Sequence, residues 1–189
     1  MFERIKDLFT GPKIKRPESF RNKAVLVVDL QHGCICDMKM SDMTRGSFRA
    51  VEKLLDWARK EGIELVFLED RRDNRAGITI PAIIEAAERE KVIEKWTPDG
   101  FENGRLLKRL NEKEVGDLII CGYAREICVF ETGKNAGRFG FRVESSPDLI
   151  FGSKSARPSI FREAVVEDFY KREVAMHASV DELIEKNKK

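Results

Sequence analysis

Six short apolar segments, alternating along the chain with longer amphipathic ones, constrain its fold more than any other feature. The first, residues 23–29, reads KAVLVVD. An aliphatic run that ends in an acid is typical of a parallel strand that is buried on both faces and ends at a ligand cleft. The other predicted strands are residues 63–68, 92–94, 117–121, 141–144 and 173–177. Asp29 therefore lies where functional groups of such sheets usually lie.

Helices are predicted in the gaps between these strands. They occupy residues 47–60, 81–90, 103–111, 126–138, 158–170 and 180–188. Ser47 is a suitable N-cap for the first helix, Gly62 follows its end, and Pro81 stands in the first turn of the second. Alternation of strand and helix requires right-handed crossovers. The sequence predicts an α/β fold of three layers, α-β-α, around an open six-stranded parallel sheet of the Rossmann-like kind.

The chain has the size and composition of one globular domain. Of its 189 residues, 42% are hydrophobic and 36% are charged, which provides enough apolar material for one core and is unlike a disordered segment. We expect this domain to span residues 23–189. Residues 1–22 form a lead-in, and its first ten residues are amphipathic and broken by charge, which predicts a docking helix rather than a signal peptide.

Charge and hydropathy argue against two classes of partner. The chain has 35 Lys and Arg against 33 Asp and Glu, a net charge of +2, and the two signs are interleaved, so no basic surface for nucleic acid is predicted. Its longest apolar runs are far shorter than the ~20 residues that cross a bilayer, so no membrane contact is expected. We predict a cytoplasmic protein whose four cysteines are free thiols.

Cys128 is the first residue that points to chemistry. It belongs to the segment GYAREICV, residues 122–129, where a predicted strand passes into a predicted helix. N–H groups in the first turn of a helix lack intrahelical partners, and together with the helix dipole they favour a thiolate and could hold an oxyanion. A small apolar residue packed at the base of the helix fits this position equally well.

This segment resembles the nucleophile motif of the isochorismatase-like cysteine hydrolases, G-[IV]-x-T-[DE]-x-C-V. Tyr123 replaces the usual aliphatic residue, and Arg125 replaces the frequent threonine. The matching positions are Gly122, Glu126, Cys128 and Val129.

Two further motifs follow the family's order. Residues 25–31 read VLVVDLQ, similar to the family's first strand with its D-x-Q ending, and residues 92–96 read VIEKW, similar to the short strand that carries the family's lysine. Asn103-Gly104 stands where the family usually has Gly-Thr. The resemblance extends from Lys23 to the C-terminus.

The resemblance implies a catalytic triad of Asp29, Lys95 and Cys128. In the family's mechanism the aspartate takes the thiol proton, the lysine holds the thiolate, and the sulfur attacks an amide carbon. The N–H groups of Ala124 and Cys128 would receive the oxyanion, and the peptide between Tyr123 and Ala124 would be cis. Taken singly, Asp29 could instead be an acid that caps a loop, and Lys95 a surface lysine.

Histidine usage argues against a catalytic metal. Nicotinamidase-type members of the family carry Asp-x-His and a further His after the second strand, whereas residues 70–72 here are Asp-Arg-Arg. Only His32 and His177 occur in the chain, too few for a His-rich zinc site at that position. We expect no metal and no cofactor. The chain also lacks G-x-S-x-G and G-x-G-x-x-G, which disfavours a serine hydrolase and a dinucleotide-binding domain.

The predicted function is hydrolysis of a C–N bond in a small amide or carbamoyl compound, carried out by a homo-oligomer, as the resemblance implies. Arg71 or Arg72 could bind a substrate carboxylate through bidentate hydrogen bonds, although a solvated loop charge also fits. Gln31 is expected mainly to support its loop. The candidate substrate-binding residues are Gln31, Arg72, Trp96, Tyr123 and Arg125.

Two other functions remain open on the sequence. The unusual Arg125 and Asn103-Gly104 would also fit a catalytically silent binding or scaffold protein that keeps the fold. A thiol redox sensor would pair Cys128 with Cys34 or Cys36.

Overall fold

A computed structural model describes residues 13–35, 37–38, 45–72, 76–156 and 159–188. The predicted docking helix in the first ten residues, and Cys36, lie outside the described residues. No helix within these ranges is both long enough and apolar enough to cross a bilayer.

The described residues contain one parallel sheet. Its strands are β1 (Asn22–Val28), β2 (Glu64–Asp70), β3 (Val92–Lys95), β4 (Val115–Tyr123), β5 (Arg142–Ser145), β6 (Ile150–Phe151) and β7 (Val174–Met176). The order is β3-β2-β1-β4-β5-β7, with β6 paired to β4. All neighbouring pairs are parallel. The predicted parallel α/β sheet is confirmed, but it has seven strands and not six. The missed strand is β6, because a strand of two residues has no periodicity to detect.

Helices cover both faces of the sheet. Those in the described ranges are α1 (His32–Ile35), α2 (Arg45–Lys60), α3 (Arg105–Glu112), α4 (Phe130–Arg138), α5 (Ile160–Arg172) and α6 (Val180–Asn187). Helix α2 contacts α6, and α4 contacts α5. The crossovers from β1 to β2 and from β4 to β5 run in opposite directions along the sheet, so right-handed connections put these two helix pairs on opposite faces. Since α2 begins at Arg45, Ser47 lies inside its first turn and is not the predicted N-cap.

The helix predicted at residues 81–90 is wrong. The chain there forms turns followed by a 3₁₀ helix, Ala86–Lys91. Ile83 and Ile84 are both buried, and Nη2 of Arg59 binds the carbonyl oxygen of Ile83 at 3.0 Å. An α-helix would need that carbonyl for its own hydrogen bonding, so a tertiary contact overrides the local pattern.

The carboxyl ends of four adjacent strands converge at one edge of the sheet. Val28 in β1 lies opposite Leu68 in β2 and Gly122 in β4, and Asp70 in β2 lies opposite Lys95 in β3. Residues that end or follow these strands are therefore neighbours in space.

Gly122 permits the close approach of β4 to β1. Its φ is 132°, and a Cβ atom at this position would lie 2.0 Å from the carbonyl oxygen of Val28. Any other residue would force apart the two strand ends that lead to Asp29 and to Cys128.

Candidate active site

Asp29, Lys95 and Cys128 meet at the carboxyl edge of the sheet, and all three are buried. Nζ of Lys95 lies 2.8 Å from Oδ2 of Asp29 and donates a hydrogen bond to the carbonyl of Thr97 at 3.2 Å. A carboxylate oxygen of Asp29, one of Asp70 and the sulfur of Cys128 lie within 4.8 Å of one another. The structure thus brings together the three residues that the sequence assigned to catalysis.

Asp29 leaves β1 in an uncommon backbone conformation. Its φ is 49°, and its N–H donates to the carbonyl of Leu68 at 3.0 Å. Non-glycine residues in this left-handed region are rare and concentrate at functional positions. The carboxylate of Asp29 has Nζ of Lys95 at 2.8 Å and the thiol of Cys128 as a hydrogen-bond partner, so it is placed to accept the thiol proton.

The pKa values in this cluster depend mainly on burial. Burial raises the pKa of Asp29 to about 6, against the opposing charge of Lys95. Burial also raises the pKa of Cys128, and the negative charge of Asp29 adds to that rise, while Lys95 and Arg72 oppose it. Burial lowers the pKa of Lys95, but the charges of Asp29 and Cys128 outweigh it, so the net shift is upward. At neutral pH the cluster is a thiol, a carboxylate and an ammonium, so the thiolate expected from the helix terminus is not the resting form.

Cys128 lies in a turn of π-helix, Arg125–Val129, that joins β4 to α4. The carbonyl oxygen of Ala124 accepts hydrogen bonds from the N–H groups of Ile127 at 3.0 Å and Val129 at 3.1 Å. The peptide between Tyr123 and Ala124 is cis, as the resemblance implied. The turn follows directly from the strand that lies beside β1.

Asp70 and Arg72 form a second charged pair beside the triad. Nε of Arg72 lies 3.0 Å from each carboxylate oxygen of Asp70, and its Nη2 lies 3.4 Å from Sγ of Cys128. Asp70 is 3.8 Å from Lys95. The sequence analysis missed Asp70, although an acid at the end of β2 repeats the signal that identified Asp29 at the end of β1.

A cavity of about 490 Å³ adjoins this pair. Asp70 and Arg72 belong to its wall, and the hydroxyl of Tyr123 donates a hydrogen bond to Asp37, also in the wall. The lining residues are Gly33, Cys34, Asp37, Asp70, Arg72, Ala76, Tyr123 and Ser155. A cavity of about 530 Å³ lies at the opposite edge of the sheet, beside Gly116 at the start of β4, away from the triad.

Three of the predicted substrate-binding residues are absent from this cavity wall. Gln31 is fully buried, and its amide binds the backbone of Asp70 and Gly77, which is the supporting role also expected for it. Trp96 is 53% exposed. Arg125 pairs with Glu167 at 2.8 Å on the face of α5. Only Arg72 and Tyr123 of the five predicted residues line the cavity.

Glu69 is a buried acid that sequence analysis also missed. It is fully buried, and its Oε1 accepts hydrogen bonds from the N–H of Thr79 at 2.7 Å and from Oγ1 of Thr79 at 2.8 Å. Arg71 binds Glu69 at 2.7 Å and Glu94 at 2.8 Å. Arg71 therefore anchors the loop after β2, whereas its neighbour Arg72 reaches the cavity.

Two cationic side chains occupy the region in which a metal ion would have to bind. Asp29, Asp70 and Cys128 offer three donor atoms at a spacing that suits a metal. However, Lys95 lies 2.8 Å from Asp29 and 3.8 Å from Asp70, and Arg72 contacts both oxygens of Asp70. Because these cations already neutralise the carboxylates, the residues present do not fit a divalent metal.

A match to a protein-family model shows the family to which this chain belongs. The family model of the isochorismatase domain matches residues 23–154, a span that contains Asp29, Lys95 and Cys128. The chain belongs to the isochorismatase family. The membership expected from three motifs is confirmed.

Two curated proteins resemble this isochorismatase-family chain. A streptothricin hydrolase of Streptomyces noursei is 30% identical over 128 residues, which are 64% of this chain and 51% of that protein. The isochorismatase family protein YddQ of Bacillus subtilis is 28% identical over 129 residues, 62% of this chain and 71% of YddQ. The chain therefore spans about half the length of the streptothricin hydrolase that it matches.

Two solved structures share the fold of this chain. The YcaC gene product of Escherichia coli, an octameric hydrolase of unknown specificity, has a TM-score of 0.71 at 20% identity over 93% of this chain and 82% of YcaC. N-carbamoylsarcosine amidase of Thermoplasma acidophilum has a TM-score of 0.68 at 19% identity over 85% of this chain and 98% of that one.

Proposed function

We propose that this protein is a cysteine hydrolase that cleaves a C–N bond of a small amide or carbamoyl compound through a thioester at Cys128. The observation that carries the proposal is the buried ion pair of Lys95 and Asp29, 2.8 Å long, beside the Cys128 sulfur. Burying an ion pair costs desolvation energy, so it is weak evidence for a purely structural role. A protonated thiol, in contrast, needs a base and a cation at the sulfur before it can attack a carbonyl.

In the first half of the reaction Asp29 takes the proton from the thiol of Cys128. The sulfur forms a bond to the carbonyl carbon, and the N–H groups of Ala124 and Cys128 stabilise the oxyanion that develops. The C–N bond then breaks, the proton held by Asp29 passes to the departing nitrogen, and ammonia or an amine leaves. Lys95 stays protonated throughout and stabilises the negative charge that moves between the carboxylate and the sulfur.

In the second half Asp29, again ionised, removes a proton from water. The hydroxide oxygen attacks the thioester carbon, the C–S bond breaks, and the thiolate recovers the proton from Asp29. The product is a carboxylic or carbamic acid, and the resting thiol and carboxylate are restored. A pKa of about 6 for Asp29 suits a base that must both accept and return a proton near neutral pH.

The names of related proteins support a C–N bond as the target. One curated relative is a streptothricin hydrolase, and one structural neighbour is an N-carbamoylsarcosine amidase. The octameric YcaC neighbour supports the further proposal that this protein acts as a homo-oligomer.

Trapping of the covalent intermediate tests the proposal. A panel of small amides and N-carbamoyl compounds would be incubated with the protein, ammonia release measured, and the quenched protein analysed by mass spectrometry for an acyl group on Cys128. We expect at least one substrate to give both signals. Cys128→Ala should abolish turnover, typically by a factor of about 10³ or more.

Cys121→Ala is the matched control, because Cys121 is also a fully buried thiol but lies within β4 and away from the triad. It should retain turnover. Hydrolysis that survives in Cys128→Ala would overturn the proposal, and a panel without any turnover by wild type would favour the silent binding protein.

A further inference from the structure

Arg72 lies at the boundary between the cavity and the nucleophile. Its guanidinium contacts Asp70 through Nε and Nη2 and lies 3.4 Å from Sγ of Cys128 through the same Nη2. The side chain is 39% exposed and lines the 490 Å³ cavity. Nη1, at the other corner of the guanidinium, meets no acceptor within the described ranges.

The other charged groups around the cavity already have partners. Asp37 accepts hydrogen bonds from the hydroxyls of Tyr123, Ser153 and Ser155. Asp70 is bound by Arg72 itself. Among the described residues that line the cavity, Arg72 is therefore the charged side chain that keeps an open donor.

We propose that Arg72 recognises a carboxylate of the substrate and holds it beside the carbonyl that Cys128 attacks. The inference rests on the proposed hydrolase function and narrows its substrate to an amide or carbamoyl derivative of a small carboxylic acid. The guanidinium suits a carboxylate, since it stays charged and its Nη1 has N–H donors that Asp70 does not use. Because Nη2 is 3.4 Å from the sulfur, an anion bound at the same guanidinium lies near the carbon that the sulfur attacks.

Two alkylating reagents test this without knowledge of the substrate. Iodoacetate and iodoacetamide both transfer a two-carbon group to a thiolate and release iodide, but only iodoacetate carries a carboxylate next to the reacting carbon. Rates of modification at Cys128, measured by peptide mass spectrometry, give an iodoacetate-to-iodoacetamide ratio. Because both reagents consume the same thiolate, this ratio is independent of the pKa of Cys128.

Arg72→Gln removes the charge and keeps a polar side chain, whereas Arg72→Lys keeps the charge. We expect the ratio to fall about five-fold in Arg72→Gln, the size of one partly screened charge contact, and to fall less in Arg72→Lys, which keeps the charge but loses the guanidinium donors. Lys108→Gln is the control for net charge, since Lys108 is 78% exposed on α3 and away from the cavity. It should leave the ratio unchanged.

Two results would overturn the proposal. An unchanged ratio in Arg72→Gln would exclude carboxylate recognition, and if both reagents were slowed equally, Arg72 would act on the thiolate alone. A fall of the same size in Lys108→Gln would assign the effect to net charge. None of these results depends on turnover, so failure here is distinct from failure of the hydrolase proposal, which the Cys128→Ala assay decides.

Discussion

The ammonium of Lys95, fully buried at the end of β3, lies 2.8 Å from the carboxylate of Asp29, which follows β1. Strand β2 separates these two strands in the sheet, so the lysine reaches across a strand to make this contact. Even so, burial raises the pKa of Asp29 to about 6. The charge of Lys95 therefore offsets only part of the desolvation cost of the carboxylate.

The pH profile of hydrolysis should report this pKa. In the proposed mechanism Asp29 must be ionised to accept the thiol proton, so we expect kcat/KM to fall on the acid side with an apparent pKa of about 6. In Lys95→Met the acid limb should move to higher pH, because the stabilising charge is lost. Initial rates across the acid range for both proteins measure the shift, and an acid limb near pH 4 in wild type would contradict a base whose pKa is raised by burial.

Folding stability should depend on the same group. The pKa of Asp29 is near 3.8 when unfolded and about 6 when folded, so between these values the folded protein binds more protons and its stability falls as pH rises. Relative to Asp29→Asn, wild type should lose up to about 3 kcal/mol of unfolding free energy between about pH 4 and about pH 7. Urea denaturation at both pH values measures the difference. If the unfolding free energies of wild type and Asp29→Asn changed equally with pH, this result would contradict the burial of an ionised Asp29.

The pKa of Cys128 should move in opposite directions in two variants. Asp29→Asn removes a negative charge that raises this pKa, whereas Lys95→Met removes a positive charge that lowers it. The midpoint of iodoacetamide alkylation should therefore fall in Asp29→Asn and rise in Lys95→Met. We also expect Asp29→Asn to be inactive in hydrolysis although its thiolate forms more readily, since the proposed base is gone. A shift in the same direction in both variants would refute this charge arrangement.

Gly122→Ala tests the approach of β4 to β1. The new Cβ would meet the Val28 carbonyl at 2.0 Å, in a backbone at φ 132°, and we expect a loss of about 3 kcal/mol in unfolding free energy. Gly62→Ala is the matched control. Gly62 also has a positive φ, 66°, but no atom within 4 Å of the added Cβ, so its cost should be about 1 kcal/mol. If urea denaturation showed equal losses of unfolding free energy in the two variants, the close approach of β4 to β1 would not be the cause of the loss in Gly122→Ala.

Tyr170→Phe should loosen the turn that carries Cys128. The hydroxyl of Tyr170 donates to the carbonyl of Arg125 at 3.0 Å and so ties α5 to this turn. Loss of one buried hydrogen bond costs about 1 kcal/mol, and misalignment of the turn should lower kcat several-fold while KM stays near its wild-type value. Steady-state kinetics and urea denaturation measure the two effects, and unchanged kcat would limit Tyr170 to a role in stability.

The sequence predicts the sheet well because its central strands are continuous apolar runs. Residues 24–28 of β1 are all buried, and such runs mark strands covered on both faces. Local patterns predicted the wrong structure at residues 81–90, because the contact of Arg59 with Ile83 determines the conformation there. A hydrogen bond between residues that are 24 positions apart in the sequence cannot be detected in the periodicity of either segment.

The proximity of Asp29, Lys95 and Cys128 could be predicted because each lies at the end or the start of a recognisable element and the order of the three matches a family. The positions of the charged side chains beside them could not be predicted in this way. Asp70 and Arg72 are separated from Cys128 by more than fifty residues, and their contact with it depends on strand order and side-chain direction. Gln31, Trp96 and Arg125 lie close in sequence to triad residues, yet sequence proximity did not bring their side chains to the cavity.

Cys128 and three of the charged groups beside its sulfur lie on four separate segments: Asp29 after β1, Asp70 in β2, Lys95 in β3 and Cys128 after β4. None of them is near another unless these four strands are in register. The chemical reactivity of a single thiol is therefore a reporter of the assembled sheet, and its reaction rate during refolding would time the moment at which the last of the four strands docks.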